Sequence, residues 1–193
     1  MRKSLLFIVL GIPVLIAVIL KFFGENQYQI PIYYSHGVES QECNINIDSQ
    51  YYVNGFIPKN SGQMTWKDKI SICFFYSDSN KYSYRNIHEL ERVFSTNREP
   101  ELLFFFALGD MELADDFSDI DYVKYTREDL NRIARCRLLI TENEDFKGQS
   151  VYESIVLIDY EGRIRGYYDT SEIEEYDRLS AEVDILKREM FEK

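Results

Sequence analysis

The chain is poor in the residue types that build reactive sites. Its 193 residues include three cysteines and two histidines, and no two cysteines form a CxxC or CxxxC pair. Three cysteines are too few to stabilise a chain this long through disulfides, which excludes a small disulfide-rich scaffold. Basic residues are also scarce, at 22 against 33 acidic ones, so the formal net charge is −11. Because nucleic-acid phosphate repels so acidic a chain, we expect no nucleic-acid partner.

An apolar run near the amino terminus predicts a membrane anchor. Residues 4–23 read SLLFIVLGIPVLIAVILKFF, with Lys21 as the only charge, and such a helix spans the ~30 Å hydrocarbon layer. Arg2 and Lys3 precede the run, and the next basic residue after Lys21 is Lys59. This positive bias places the amino terminus in the cytoplasm. We therefore expect a single-pass protein of the cytoplasmic (inner) membrane, contacting membrane lipid through residues 4–23, with its carboxyl-terminal part on the periplasmic side.

The alternative interpretation of this run is a cleaved signal peptide. The run is longer than the roughly 7–15 residues of a signal-peptide core, and no small-x-small cleavage site follows it. This favours the anchor, although the rest of the chain is exported in both cases. The run and its flank hold three of the 22 basic residues, so 19 basic and all 33 acidic residues are exported, a formal charge of −14.

Export makes the cysteines informative, because extracytoplasmic compartments are usually oxidising. An odd number of cysteines leaves at least one thiol unpaired within the chain. Cys73 lies in an apolar run, where we expect a buried structural thiol. A Cys43–Cys136 disulfide is conceivable, but spacing alone does not establish it.

Hydrophobic patterning predicts a fold in which strands and helices alternate. Hydrophobic residues make up 45% of the chain, and its length fits one domain plus an accessory segment. We expect a membrane anchor over 1–24, a connector over 25–50 and an α/β domain over 51–193. The predicted strands are a weak edge strand at 43–47, a hairpin of 51–56 with 64–66, buried strands at 69–76, 101–108 and 137–141, and a final hairpin of 154–159 with 163–168 around Gly162.

Helical spacing predicts three helices in the domain. The first covers 83–96, and the second begins at Thr126, which Asp129 can cap. The third follows a capping box formed by Ser171 and Glu174. The inner face of the second helix is expected at Leu130, Ile133 and Ala134, and that of the third at Ile173, Tyr176, Leu179, Val183, Leu186 and Met190. The element order predicts an α/β fold with a central mixed sheet flanked by helices.

Two strings resemble the SCO/SenC family of membrane-anchored, thioredoxin-fold proteins, which help assemble the copper centre of cytochrome oxidase. The more specific string is VLIDYEGRIRGYYDTSEIEEYDRLSAEV, residues 156–183, which is similar to the family's terminal segment. The second is KISICFFYSDSNKY, residues 69–82, which is similar to the strand entering the family's CxxxC loop. The resemblance implies a thioredoxin-like domain over residues 51–193.

The family's copper ligands are missing at the matching positions. The family binds copper through two CxxxC cysteines and a distant histidine, whose soft ligands suit copper and whose dithiol permits redox exchange. Here Asp78 and Tyr82 stand where the cysteines fall, and Val151 stands near the histidine position. We therefore expect no catalytic, cofactor-binding or metal-binding residues and no enzyme activity.

The leading hypothesis is an anchored, exported thioredoxin-like domain that acts as a binding or assembly factor, or as an accessory subunit, at a membrane complex. A respiratory complex is the partner class that the resemblance implies. The alternative is an active copper chaperone or thiol–disulfide protein that uses the cysteines outside the motif. That alternative requires two of the three cysteines to converge within ~7 Å between their Cα atoms.

Three other features of the sequence are candidate sites. His36 lies seven residues from Cys43, but two isolated ligands are more often incidental than a metal site. Residues 110–121 hold six acids and no base, and we favour a solvated loop over a cation site or a docking patch for a basic partner. The tyrosine pairs at 33–34, 51–52 and 167–168 would mark a binding patch if they clustered on the surface.

Overall fold

A computed structural model of the chain describes residues 12–13, 15–16, 29–53, 69–77, 82–97, 101–110, 121–140 and 150–191. The elements, in chain order, are strands β1 (Val38–Ser40), β2 (Ile45–Ile47) and β3 (Ile70–Tyr76), helix α1 (Ser83–Thr96), strands β4 (Leu103–Gly109) and β5 (Asp121–Lys124), helix α2 (Arg127–Cys136), a 3-10 turn (Val151–Glu153), strands β6 (Ser154–Ile158) and β7 (Ile164–Asp169), and helix α3 (Glu174–Phe191).

The strands form a small ribbon and a central sheet. β1 and β2 pair as an antiparallel ribbon, and the central sheet has the order β5-β4-β3-β6-β7. β4 is parallel to both β3 and β5, whereas β6 is antiparallel to β3 and to β7. The expected central mixed sheet flanked by helices is confirmed.

The helices cover both faces of the central sheet. All seven residues of β3 are buried, and their side chains alternate between two hydrophobic clusters, as the period of two in a strand requires. Phe74 belongs to the cluster that contains Leu90 of α1 and Val183 of α3. Cys73 belongs to the cluster that contains Leu130 of α2. Both faces of β3 are therefore covered, which explains its continuous apolar sequence.

Local sequence signals predicted several element boundaries correctly. Helix α1 has the predicted bounds. Thr126 caps α2, because its Oγ1 accepts a hydrogen bond from the backbone N–H of Asp129 at 3.2 Å, and the predicted inner face of α2 is buried. Gly162 turns the β6–β7 hairpin with φ of +87°, a conformation that favours glycine.

Residues 137–140, the described part of the strand predicted at 137–141, do not form a strand. Leu138, Leu139 and Ile140 are buried, but Leu139 has φ of +51°, which is incompatible with an extended strand. The carbonyls of Leu138 and Leu139 accept hydrogen bonds from the hydroxyls of Tyr167 at 2.8 Å and Tyr34 at 3.0 Å. Tyrosine hydroxyls therefore satisfy backbone groups that a strand ladder would otherwise satisfy. The strand that joins the sheet before α2 is β5, which was not predicted.

The start of α3 also differs from the prediction. The helix begins at Glu174, so Ser171 lies before the cap position, and its N–H donates to the Asp169 carboxylate at 2.8 Å instead. Ile173 is consequently half-exposed at 50%, not on the inner face. Met190 is only partly buried, whereas the other predicted inner-face residues are buried: Tyr176, Leu179, Val183 and Leu186.

Two predictions fall largely outside the described residues. Of the predicted anchor at 4–23, only Ile12, Pro13, Leu15 and Ile16 are described, and they are helical. No helix in the described ranges is long and apolar enough to cross a membrane. The predicted hairpin of 51–56 with 64–66 is described only at residues 51–53, which are irregular.

Candidate functional site

The carboxyl end of β3 is the position of the CxxxC loop in the resembled family. β3 ends at Tyr76, the buried Ser77 follows, and the description resumes at Tyr82 immediately before α1. Residues 78–81 lie outside the described part of the chain, and the sequence has no cysteine or histidine from Ser77 to Asn86. The thiols of the family's site are therefore absent at this end of the sheet.

Aromatic side chains and one arginine occupy this end of the sheet. We call Tyr76, Tyr82, Tyr84, Arg85 and Tyr122 the aromatic edge. The Tyr76 ring meets the Tyr84 and Tyr122 rings edge to face, with centroids 6.2 and 6.4 Å away. Burial and a hydrogen bond to Tyr84 raise the pKa of Tyr76, so its phenol stays neutral. Tyr84 is 64% exposed, so the edge presents an aromatic surface to solvent.

Arg85 fixes the aromatic edge to the loop before α3. Its guanidinium lies 4.2 Å above the Tyr82 ring, at cation–π distance. Its Nη2 donates to the carbonyl of Thr170 and, at 3.0 Å, to that of Ser171. Its Nε is buried and makes no hydrogen bond within the described ranges. The guanidinium is thus held in one orientation by the protein, with donor capacity left over.

Gly109, at the end of β4, allows the aromatic edge to pack closely. A Cβ at this position would lie 2.4 Å from the carbonyl oxygen of Tyr76 and 2.8 Å from the Tyr122 ring. Both distances are shorter than any van der Waals contact, so a larger residue would displace Tyr122. Glycine at this position therefore serves the close approach of Tyr122 to the end of β3.

Cys73 is fully buried in the middle of the central sheet. It pairs with Phe106 of β4 and Val156 of β6 and is 0% exposed. Burial raises the pKa of the Cys73 thiol far above its usual range. Since the thiolate is the reactive form, this cysteine is an inert packing residue, as expected from its apolar surroundings.

Cys43 and Cys136 form a disulfide with Cα atoms 5.2 Å apart. The bond joins the turn between β1 and β2 to the last residue of α2. The pairing that spacing left open is therefore present, and two cysteines meet the distance that the redox alternative requires. Cys136 lies at the carboxyl end of a helix, however, where the macrodipole disfavours a thiolate.

A groove of about 1020 Å³ lies beside this disulfide. Tyrosines and arginines line it together: Tyr51, Tyr52, Tyr125, Arg132, Arg135 and Arg137. Arg132 pairs with Asp129 at 3.0 Å and Arg135 with Glu42 at 2.9 Å. Cations near the carboxyl end of a helix complement its dipole, so these arginines have a structural role in α2.

The remaining predicted candidates are dispersed. His36 is exposed in the turn before β1, and His88 is exposed on α1 with Nδ1 3.4 Å from the Glu91 carboxylate. Val151, near the third ligand position, is buried at the start of the 3-10 turn. Across the described residues, no group of three or more histidines, cysteines and carboxylates could hold a metal ion.

The acidic segment at 110–121 is described only at its two ends, Asp110 and Asp121. Asp110 accepts a hydrogen bond from Nε of Arg127 at 3.1 Å, which gives this carboxylate a structural partner. The tyrosine pairs do not form a surface patch either, because Tyr51, Tyr167 and Tyr168 are buried. The exposed tyrosine of the aromatic edge is Tyr84, which sequence patterning did not single out.

No protein-family model matches this chain, and no curated protein matches it. Solved structures do. A SCO1/SenC family lipoprotein from Bacillus anthracis is 16% identical, with a TM-score of 0.46 over 63% of this chain and 83% of that chain. BsSco, a member of the Sco family of cytochrome c oxidase assembly proteins, is 12% identical, with a TM-score of 0.46 over 63% and 81% of the two chains.

The matches also include thiol–disulfide proteins. A thiol:disulfide interchange protein from a Bacteroides species is 12% identical, with a TM-score of 0.43 over 62% of this chain and 76% of that chain. The structural neighbours of this chain thus include SCO1/SenC family proteins, the family that its sequence strings resemble, and thioredoxin-like oxidoreductases.

Proposed function

We propose that this chain is a binding domain of the inner membrane, held there by residues 4–23 with its folded domain in the periplasm. The domain docks through the aromatic edge onto the extramembrane part of a membrane protein complex. It acts there as an assembly factor or an accessory subunit and catalyses no reaction. The resemblance to the SCO/SenC family makes a respiratory complex the proposed partner class.

The observation that carries this proposal is that the carboxyl end of β3 has aromatic side chains and an arginine where the resembled family has thiols. Thiol exchange and Cu(I) binding both need accessible thiolates. The positions that would supply them hold Asp78 and Tyr82, and the cysteine within the sheet, Cys73, is fully buried. The scaffold is kept while its reactive groups are replaced by groups suited to contact.

The aromatic edge has the composition and rigidity of a protein interface. Tyrosine and arginine are enriched among the residues that dominate binding energy. Tyr84 offers a large exposed ring, and Arg85 is already oriented by Tyr82 and by the carbonyl of Ser171. Because these side chains are ordered before binding, little conformational entropy is lost on docking.

One observation favours a second candidate function. Cys43 and Cys136 are bonded and half-buried, beside a groove with three arginines, and cationic neighbours stabilise a thiolate. A thiol–disulfide or copper-binding role would therefore use this pair and leave the aromatic edge aside. The two candidate functions depend on different residues and can be separated by mutation.

The first test measures copper binding and disulfide reduction. We expect the purified full chain to retain no stoichiometric Cu(I) after desalting and to catalyse no reduction of insulin disulfides, because it presents no accessible dithiol. The matched control is the Cys43→Ala/Cys136→Ala variant, which should give the same background. Copper retained by the reduced wild type but lost in this variant would establish the second candidate and remove the first.

The second test measures partner capture from membranes. We expect Tyr84→Ala to reduce the amount of co-purified partner by about tenfold or more, as for an interface residue that dominates binding. Its effect on the free energy of unfolding should stay within about 1 kcal/mol because the ring is mostly exposed. The readout is quantitative co-purification after crosslinking.

Tyr52→Ala is the matched control for this capture experiment. Tyr52 is an exposed tyrosine of the groove, at 41% exposure, far in sequence from the aromatic edge. It should leave capture unchanged. Loss of capture in Tyr52→Ala together with normal capture in Tyr84→Ala would locate docking at the groove and contradict the proposal.

A further inference from the structure

Arg165, in β7, is a buried arginine whose donors are all used. It is 3% exposed. Nε donates to the carbonyl of Pro31 at 3.1 Å, and Nη2 donates to the carbonyl of Ile30 at 2.9 Å and to Glu189 at 3.1 Å. Nη1 donates to Glu189 at 2.9 Å and to Asp159 at 3.1 Å. All five N–H groups of the guanidinium thus have acceptors.

This arrangement, which we call the Arg165 clamp, fixes the chain that leads to the predicted anchor. A buried guanidinium requires complete pairing because an unpaired charge is costly to desolvate. Two of its five bonds go to the backbone of residues 30 and 31, and the N–H of Tyr33 adds a bond to the carbonyl of Ile164 at 3.0 Å. The chain therefore joins the domain at one defined place.

The clamp and the aromatic edge lie at opposite ends of the central sheet. β6 runs antiparallel to β3, so the Asp159 turn lies beside the first residues of β3, whereas the aromatic edge follows its last residue. β3 has seven residues, which separates the two ends by roughly 20 Å. Helix α3 runs between them, from the loop that binds Arg85 to Glu189 in the clamp.

The distance between the clamp and the predicted anchor is short along the chain. Six residues lie between Phe23, the end of the apolar run, and Ile30, so the two are at most about 25 Å apart when the chain is fully extended. If residues 4–23 span the membrane, as the proposed function holds, the clamp end of the sheet cannot move far from the bilayer.

Exposed tyrosines suit two different surfaces, protein interfaces and lipid headgroups, and attachment at the clamp distinguishes them. We infer that the Arg165 clamp holds the domain with its clamp end toward the membrane and its aromatic edge toward the periplasm. The aromatic edge then fits the extramembrane surface of a protein partner and not lipid headgroups. This inference rests on the anchoring in the proposed function and adds the direction from which the partner docks.

The test compares a fluorescent label at each end of the sheet. Glu101→Cys places the label just before β4 at the clamp end, and Glu128→Cys places it in the first turn of α2 at the other end. Both positions are exposed glutamates, so the two variants are chemically matched. The native cysteines are bonded or fully buried, so the label reacts with the introduced thiol alone.

The full chain is placed in nanodiscs whose lipids carry a nitroxide on the headgroup, a short-range quencher. We expect quenching of the label in Glu101→Cys to exceed that in Glu128→Cys by roughly twofold or more, given the separation along the sheet. A 20-residue Gly-Ser insertion between Gln27 and Tyr28 should bring the ratio close to one, because it lets the domain turn freely. This second variant leaves the folded domain unaltered.

The role of the clamp itself is tested with Arg165→Lys, which keeps the charge and loses the planar fork. We expect the quenching ratio to fall toward one in Arg165→Lys. The control is Arg178→Lys, which loses a hydrogen bond to the carbonyl of Tyr167 on α3's side of the sheet. This control should leave the quenching ratio unchanged. An unchanged ratio in Arg165→Lys would overturn the assignment to the clamp. Should Arg165→Lys fail to fold, the insertion variant still decides whether the short attachment sets the orientation.

Failure of this inference is distinguishable from failure of the proposed function. Reversed quenching in the two labelled chains, while they remain in the nanodiscs, would place the aromatic edge at the lipid headgroups, and equal quenching would show that the domain has no fixed orientation. Either result would overturn the inference. Loss of the chain from the nanodiscs would remove both the anchoring and the inference. A preserved ratio with normal partner capture by Tyr84→Ala would remove the docking proposal and leave the orientation standing.

Discussion

Replacing Cys43 and Cys136 together with alanine is expected to lower the free energy of unfolding by about 4–5 kcal/mol. The disulfide closes a loop with a sequence separation of 93 residues, and a loop of this size restricts the unfolded chain by about that amount. The folded state also depends on the bond locally. The β1–β2 ribbon has strands of three residues, and an isolated two-stranded ribbon is marginal in water.

Urea unfolding followed by circular dichroism measures this loss. Adding reductant to the wild-type protein should lower its midpoint by a similar amount, whereas the double variant should not respond to reductant. Cys73→Ala controls for the loss of a thiol as such, since Cys73 forms no disulfide, and it too should keep its sensitivity to reductant. A wild-type midpoint unchanged by reductant would contradict a structural role for the bond.

The size of the effect also bears on the second candidate function. A domain of this length has about 5–15 kcal/mol of stability in total, so a bond contributing 4–5 kcal/mol cannot be opened in each turnover without risk of unfolding. A stabilising disulfide therefore favours the binding function. A bond that reduces without loss of stability would instead be available for exchange with a partner.

The sequence was most informative where local rules decide the structure. A run of apolar and β-branched residues predicted β3, and helical spacing predicted α1 with its observed bounds. The Thr126 cap and the turn at Gly162 depend on side-chain and backbone preferences that act within four residues. These signals need no knowledge of the rest of the fold.

The sequence failed where distant residues decide the structure. The run at 137–141 is as apolar as a buried strand, but the hydroxyls of Tyr34 and Tyr167, far along the chain, bind its carbonyls. β5 has four residues and gains its place in the sheet from pairing with β4. Apolar composition predicts burial reliably, but burial does not require a strand.

The candidate site likewise has features that the sequence predicts and features that depend on the fold. The absence of thiols after β3 could be read directly from the sequence, because it concerns the residue types at known positions. The aromatic edge could not, since Tyr122 joins Tyr76 and Tyr84 only through the pairing of β4 with β3 and β5. The disulfide likewise needed the packing of the ribbon against α2, which spacing does not encode.

Replacing Arg165 with methionine is the second change for which we expect a large loss, about 3–5 kcal/mol of unfolding free energy. Methionine fills a similar volume but removes all five hydrogen bonds, leaving the carbonyls of Ile30 and Pro31 without this donor. The fully buried Asp159 keeps its contact with Nε of Arg163 at 2.7 Å but loses Arg165, the second arginine with which it pairs. Removing one member of a buried charge network typically costs this much.

Arg92→Met is the matched control for this measurement, because it makes the same substitution in an exposed ion pair. Arg92 bonds Glu89 and Asp177 at 2.8 and 2.9 Å, but its side chain is 47% exposed, so solvent screening should limit its loss to about 0–1 kcal/mol. Urea midpoints of both variants give the comparison. Equal losses would mean that burial adds nothing to the Arg165 network, and the chain would then be free to leave the domain at residues 30–31. A large loss confined to Arg165→Met means that residues 30–31, which lead to the predicted anchor, are held by a network that belongs to the domain's cooperative unit.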